Sequence, residues 1–153
     1  MTQTAVITGA TSGIGAEFAR QLAQRGYDLV LTGRNTERLE STAAELARDY
    51  SVKTEWIAAD LAVQQGVDAV ADRVQKPDVG LLVNNAGYGL KNDFARNELQ
   101  AEIDHLRVLV EAPLQLSHAA LNAMQSNGGG RIINVASVAG FIPRGTYSAA
   151  KSW

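Results

Sequence analysis

The sequence predicts an α/β chain in which a mostly parallel, doubly wound sheet lies between two layers of helices. Three observations carry this. Apolar runs of four to six residues alternate with amphipathic helical stretches in the order βαβαβαβαβα, which the layer and crossover rules fold into a three-layer α/β/α sandwich. Three glycines (Gly9, Gly13 and Gly15) separate the first apolar run from the first helical stretch; such a junction at the sheet centre favours the strand order 3-2-1-4-5. Val79 to Val83 is apolar on both faces, the mark of a central parallel strand.

The elements follow in order. Residues 4–8 form the first strand, and Ile14, Phe18, Leu22 and Ala23 form the apolar side of the helix behind it, which Gly26 ends. Leu29 to Thr32 is the second strand; Leu39, Ala43, Leu46 and Ala47 mark the buried side of the second helix. Val52 to Ile57 is the third strand, and 63–75 the third helix, with Gly66 weakening its first turn. Residues 98–126 read as one long helix or two end to end. Leu99, Ile103, Leu106, Val110, Leu114, Leu121 and Met124 are its apolar face, and Pro113 must kink it, break it or open a new helical turn. Arg131 to Val135 is the fifth strand, and a last helix begins near Tyr147.

Composition narrows the function. The chain has 153 residues, 46% hydrophobic and 20% charged, with a net charge of -2 and no cysteine. One domain spanning 1–153 is expected, without disulfides or thiolate chemistry. No basic stripe invites nucleic acid. The absence of a basic leader followed by a long apolar run predicts neither a signal peptide nor a membrane span, and so a cytoplasmic protein. His105 and His118 are thirteen residues apart without a cysteine or acidic set at ligand spacing, so no metal site is expected.

The first loop can hold a phosphate against unpaired N–H groups at a helix start, with Thr11 and Ser12 as added hydroxyl donors, although a glycine trio also serves plain turns. After the second strand, Thr32-Gly33-Arg34-Asn35 carries no acid. Arg34 offers a fork of donors to a 2′-phosphate, which favours NADP(H) over NAD(H); the alternative is a solvent-facing arginine. Asp60 either accepts from an adenine amino group or caps the third helix. Asn84-Asn85-Ala86-Gly87 follows the fourth strand, where asparagines tie strand ends together and Gly87 admits a close ligand. Ser137 follows the fifth strand. Tyr147 and Lys151, four residues apart, share one helical face. A phenol ordinarily titrates near 10, and a neighbouring ammonium favours the phenolate, so such a pair can trade a proton with an alcohol or carbonyl.

Thr8-Gly9-Ala10-Thr11-Ser12-Gly13-Ile14-Gly15, Asn84-Asn85-Ala86-Gly87, Ser137 and Tyr147-Ser148-Ala149-Ala150-Lys151 resemble, in order, the motifs of the short-chain dehydrogenase/reductase family. The resemblance implies a Rossmann-like NADP-binding domain and reversible hydride transfer between NADP(H) and a secondary alcohol or ketone. Gly9, Thr11, Ser12, Gly13, Ile14 and Gly15 would surround the pyrophosphate. Asp60 and Leu61 would meet adenine, and Asn84, Ala86 and Gly87 would line the ribose side. Ser137 would orient substrate, Tyr147 would act as acid and base, and Lys151 would bind the nicotinamide ribose and favour the phenolate.

Three departures stand out. Leu109 occupies the position of the family's relay asparagine. The interval from Ser137 to Tyr147, ten residues, is shorter than usual and turns at Pro143-Arg144-Gly145. Family members run longer, so the chain is expected to be incomplete at its C-terminus, lacking the usual last strands and the substrate-covering segment; a full-length form would be a homo-oligomer. A noncatalytic dinucleotide-binding or assembly module is the alternative reading.

Overall fold

The computed structural model describes residues 3–143 and 145–153. Five parallel strands lie in the order β3-β2-β1-β4-β5, the order expected. They are β1 (Thr4–Thr8), β2 (Asp28–Gly33), β3 (Thr54–Ala58), β4 (Val79–Asn84) and β5 (Arg131–Asn134). The helices are α1 (Gly13–Gln24), α2 (Thr36–Tyr50), α3 (Gln64–Val74), α4 (Leu99–Leu106), α5 (Ala112–Ser126) and α6 (Gly145–Ser152). Among the described residues, no helix is long and apolar enough to cross a membrane.

Strand pleating sorts the core into two halves. Val6, Val30 and Leu82 point to one side, where α3 contributes Val67, Val70 and Val74 and α5 contributes Leu116, Ala120 and Met124. Ala5, Ile7, Leu29, Leu31, Leu81 and Val83 point to the other, against Ala19, Leu22 and Ala23 of α1 and Leu39, Ala43 and Leu46 of α2. Each fully buried leucine or valine contributes about 1.5–3 kcal/mol. β1 and β4 are buried throughout, whereas β3 and β5, the outer strands, are partly exposed.

Local chemistry sets the helix ends. The Asn35 side chain accepts from the Arg38 N–H at 2.8 Å and caps α2. Asp60 does not cap α3, whose N-cap is Val63; its carboxylate accepts from the Ala62 N–H in its own loop. Gly66, a poor helix former, is required in the first turn of α3 by packing. A Cβ there would overlap the Asp60 carbonyl oxygen.

The largest difference from the sequence expectation lies in the long helix. α4 and α5 lie end to end, joined by a π-helical turn, Arg107–Glu111, with helical backbone kept on both sides of it, and Pro113 sits two residues beyond that turn, where the shifted hydrogen-bond register accommodates its missing N–H. The expected apolar face is mostly on the wrong side. Leu99, Leu106, Leu114 and Leu121 are exposed, as is Ile103, while Val108, Leu109, Ala112, Leu116 and Ala120 are buried. Periodicity finds apolar rows, but the position of the sheet decides which row is covered. Ile14 also departs from expectation: it is 59% exposed and does not pack beneath α1. The turn through Pro143, Arg144 and Gly145 includes Arg144, which lies outside the described residues.

At the base of the sheet, Arg73 of α3 bonds Glu55 of β3 at 2.8 Å and Asp78 at 2.8 Å. Thr4 donates to the same Asp78 carboxylate at 2.7 Å. Arg73, offset by the cost of burial, holds the Asp78 carboxyl below its ordinary 3.8. A lowered carboxylate pKa stabilises the fold above the unfolded value and loses that contribution as pH falls through the folded value. Arg73→Gln is therefore expected to cost about 1 kcal/mol at neutral pH. In urea unfolding series, the gap between the two proteins should narrow below pH 4.

Candidate functional site

All five strands run the same way, so their C-terminal ends and the loops after them gather along one edge. There they enclose a cleft of about 620 Å³, at the crevice where chain direction switches between β1 and β4. The glycine loop forms its floor. Gly9 and Gly13 have φ of 66° and 54°, a region that costs a side-chain-bearing residue energy. Ser12, the N-cap of α1, makes no side-chain capping bond, which leaves first-turn N–H groups free for an anion. Thr11, Ser12, Gly13 and Ile14 line this end of the cleft, and the exposed Ile14 side chain is part of its wall.

The floor is fastened to the end of β4. Thr8 Oγ1 accepts from the N–H groups of Asn85 and Ala86 at 2.9 and 3.0 Å and donates to the Val83 carbonyl at 3.3 Å. Asn85 Nδ2 donates to the carbonyls of Thr8 and Gly9 at 2.9 and 3.1 Å. Gly9 lies so close to this loop that an added Cβ would come 2.9 Å from Ala86 Cα. Gly15 does not line the cleft; it is buried where a Cβ would overlap the Gly9 carbonyl oxygen and the Asn85 amide. Asn85 ties the ends of β4 and β1 together, as expected of an asparagine there, and its partner is Thr8, the last residue of β1. The Asn84-Asn85 doublet was the available signal, because a second amide at a strand end needs partners.

Asn84 also lies outside the cleft lining. It is buried, and its Nδ2 donates to Ser117 Oγ at 2.9 Å and Asn134 Oδ1 at 2.8 Å, tying β4 to α5 and β5. The other sequence-selected positions converge on the cleft. Arg34 and Asp60 with Leu61 line one end, Ala86 and Gly87 the middle, and Ser137, Tyr147 and Lys151 the other end. Lys151 Nζ donates to the Val135 carbonyl at 2.8 Å, which fixes the ammonium beside the end of β5. Ser137 Oγ accepts from the Ala139 N–H at 3.2 Å, which leaves its own proton available for donation. Leu109 is buried with its side chain against Gly87.

Tyr88 and His105 join the site without having been chosen as site residues. The Tyr88 ring meets His105 edge-on at 5.2 Å, and His105 meets the Tyr147 ring at 5.7 Å. Burial, with Asp104 nearby, pushes the Tyr88 phenol above its ordinary 10, so it remains a neutral donor at physiological pH. No periodicity separates His105 from an ordinary helix residue, because its placement depends on how α4 meets α6.

A family model described as short chain dehydrogenase matches residues 3–152. A very-long-chain 3-oxoacyl-CoA reductase from Laccaria bicolor is 37% identical over 97% of this chain, which spans 46% of that protein. An uncharacterized oxidoreductase from Staphylococcus epidermidis is 34% identical over 97% of the chain and 65% of its own length. Among solved structures, a bulky-bulky ketone specific alcohol dehydrogenase from Comamonas testosteroni has a TM-score of 0.95 at 35% identity, covering 98% of this chain and 62% of that one. A short-chain dehydrogenase from Sphingobium yanoikuyae in complex with NADPH has the same score and identity, covering 98% of this chain and 60% of that one. The chain therefore spans about half to two thirds of the length of these relatives.

Gly15 isolates the packing requirement of the floor from its exposed chemistry. Gly15→Ala is expected to lower stability by about 3 kcal/mol, read as a reduced denaturation midpoint. A native midpoint would refute the close approach of α1 to the Asn85 loop.

Proposed function

The chain belongs to the short-chain dehydrogenase/reductase family, and on that premise we propose that it binds NADP(H) and is equipped for reversible hydride transfer with a secondary alcohol or its ketone. The observation that carries the reading is the convergence of an uncapped helix start, Arg34, and the Ser137, Tyr147 and Lys151 side chains on one cleft. The donor set fits the dinucleotide. Main-chain N–H groups after Gly9 and Gly13 suit a pyrophosphate. Arg34, with no acid in its own loop, suits a 2′-phosphate. Asp60 and Leu61, which line the cleft with Arg34, would meet the adenine, and Ala86 and Gly87, also in the lining, would present little side chain to a ribose.

When bound, the nicotinamide supplies or accepts the hydride. The protein's own residues manage the oxygen and its proton. Ser137 donates to the substrate oxygen and holds the carbonyl toward Tyr147. Tyr147 gives its phenolic proton to the oxygen during reduction and takes it back during oxidation. Lys151, anchored on the Val135 carbonyl, shares a helical face with Tyr147 and has further N–H groups for a ribose hydroxyl. Asn84 contributes indirectly by tying β4 to β5 and α5.

A second reading is supported by specific features and applies to these 153 residues by themselves: a dinucleotide-binding unit that turns over little. Leu109, an aliphatic side chain, stands against Gly87 and cannot hold a relay water. Beyond Ser137, Val138 and Phe141 are 81% and 92% exposed, so the substrate end of the cleft has an uncovered apolar rim. A loose substrate site loses rate before it loses cofactor affinity.

NADPH titration by fluorescence, followed by NADPH oxidation across a ketone panel, tests both readings. Micromolar NADPH binding with turnover supports the oxidoreductase; binding without turnover supports the second reading; absence of binding refutes both. Arg34→Ala is expected to weaken NADPH binding by about 10- to 100-fold while leaving NADH binding nearly unchanged. Where turnover is measured, Tyr147→Phe should lower it by at least about 100-fold with an unchanged NADPH Kd. A variant as active as the parent would remove Tyr147 from proton transfer.

A further inference from the structure

A second cavity, about 490 Å³, adjoins the first cleft; Tyr147 and Gly89 line both. Its inner wall carries Asn97, Glu102, His105 and Thr146. Glu102 is 6% exposed and His105 fully buried. Among the described residues, Glu102 Oε2 and His105 Nδ1, like Asn84 Oδ1 outside this cavity, are buried without a hydrogen-bond partner. Such atoms cost free energy unless something in the cavity satisfies them.

Their chemistry defines what is missing. His105 Nε2 lies 2.8 Å from the Tyr88 carbonyl, which can only accept, so in the neutral ring the proton sits on Nε2 and Nδ1 is an acceptor. Glu102 Oε1 already accepts from Asn97 Nδ2 at 2.8 Å, leaving Oε2 as a second free acceptor. The Thr146 hydroxyl beside the carboxyl, offset by burial and helped by Asn97, holds Glu102 below its ordinary value, so it is a carboxylate at neutral pH. Glu102 Oε2 and, in the neutral ring, His105 Nδ1 are thus unsatisfied acceptors on two residues that line a cavity sharing Tyr147 with the proposed reaction site.

We propose that this cavity is a substrate subsite for a hydrogen-bond-donating group, a hydroxyl or an ammonium, carried by the same molecule whose carbonyl or carbinol reaches Tyr147. The inference rests on the oxidoreductase reading for that second contact. It narrows the substrate from any ketone to a hydroxy ketone or amino ketone, or the corresponding diol or amino alcohol. A plain aliphatic ketone leaves Glu102 Oε2 and His105 Nδ1 unpaired and is disfavoured for that reason.

The test compares propane-1,2-diol, 1-aminopropan-2-ol and butan-2-ol, which are close in size and differ in the group at one end. Each is titrated into the NADP⁺-saturated full chain while the His105 ring resonances are followed by NMR. At least one of the two donor ligands is expected to bind about tenfold more tightly than butan-2-ol. Preference for the diol identifies a hydroxyl subsite, and preference for the amino alcohol, abolished by Glu102→Gln, identifies an ammonium subsite. Equal binding of all three, or no His105 shift with either donor ligand, overturns the proposal and leaves the cavity to water. The native-chain comparison decides this even if Glu102→Gln fails to fold. Donor preference without NADPH oxidation by hydroxyacetone or aminoacetone would keep the subsite and remove the reductase reading. Oxidation of NADPH by those ketones and by butan-2-one with equal KM values would do the reverse.

Discussion

The cleft depends on the bonds between Thr8 and Asn85. A phosphate-binding loop must be mobile enough in composition to present N–H groups, yet held in one place. Gly9, Gly13 and Gly15 give the loop its backbone freedom and deny it side chains with which to anchor itself. The anchor comes from outside. Thr8 closes a ring of bonds with Val83, Asn85 and Ala86, and Asn85 returns two bonds to the Thr8 and Gly9 carbonyls. These groups are largely removed from water, so each bond matters more than a surface bond and each orphaned partner would cost more. The loop after β1 and the loop after β4 therefore behave as one unit. α1 starts from that unit, and the gap between the two loops is the middle of the cleft.

The other end of the cleft depends on how α4 and α5 break. The π turn at Arg107–Glu111 lets α5 keep Ala112, Leu116 and Ala120 against the sheet. Before it, α4 turns Glu102 and His105 toward α6. An uninterrupted helix would carry one face straight through and could not serve a greasy core and a polar wall in succession. The position of Tyr147 in the lining of two cavities follows from this change of face, because α6 packs where α4 has become polar. The cost is visible in Leu99, Leu106, Leu114 and Leu121, which are left exposed.

The parallel sheet explains why these distant pieces meet. Every strand ends on the same edge, so loops separated by most of the chain become neighbours without any long-range device beyond strand pairing. Asn84 strengthens that edge by joining β4 to Asn134 of β5 and Ser117 of α5. At the opposite edge, Arg73, Glu55, Asp78 and Thr4 bind α3, β3, the start of β4 and β1 together. Polar ties at both edges and apolar contacts in the two layers divide the work between specifying register and supplying most of the free energy.

The amino-acid order alone determined the alternation of strands and helices, the strand order, and the membership of Gly9, Arg34, Asp60, Ser137, Tyr147 and Lys151 in one edge cluster. These are local signals: apolar runs, glycines at a strand-to-helix junction, and residues just beyond strand ends that topology sends to a common edge. Tertiary structure decided which apolar row of α4 and α5 is buried, that Asp60 closes its own loop without capping α3, that Gly15 and Asn84 brace the site from outside its lining, and that Glu102 and His105 share a cavity with Tyr147. Each of those outcomes depends on which element packs against which. Periodicity reports the spacing of side chains around one helix, but not the identity of the neighbour each side chain will meet.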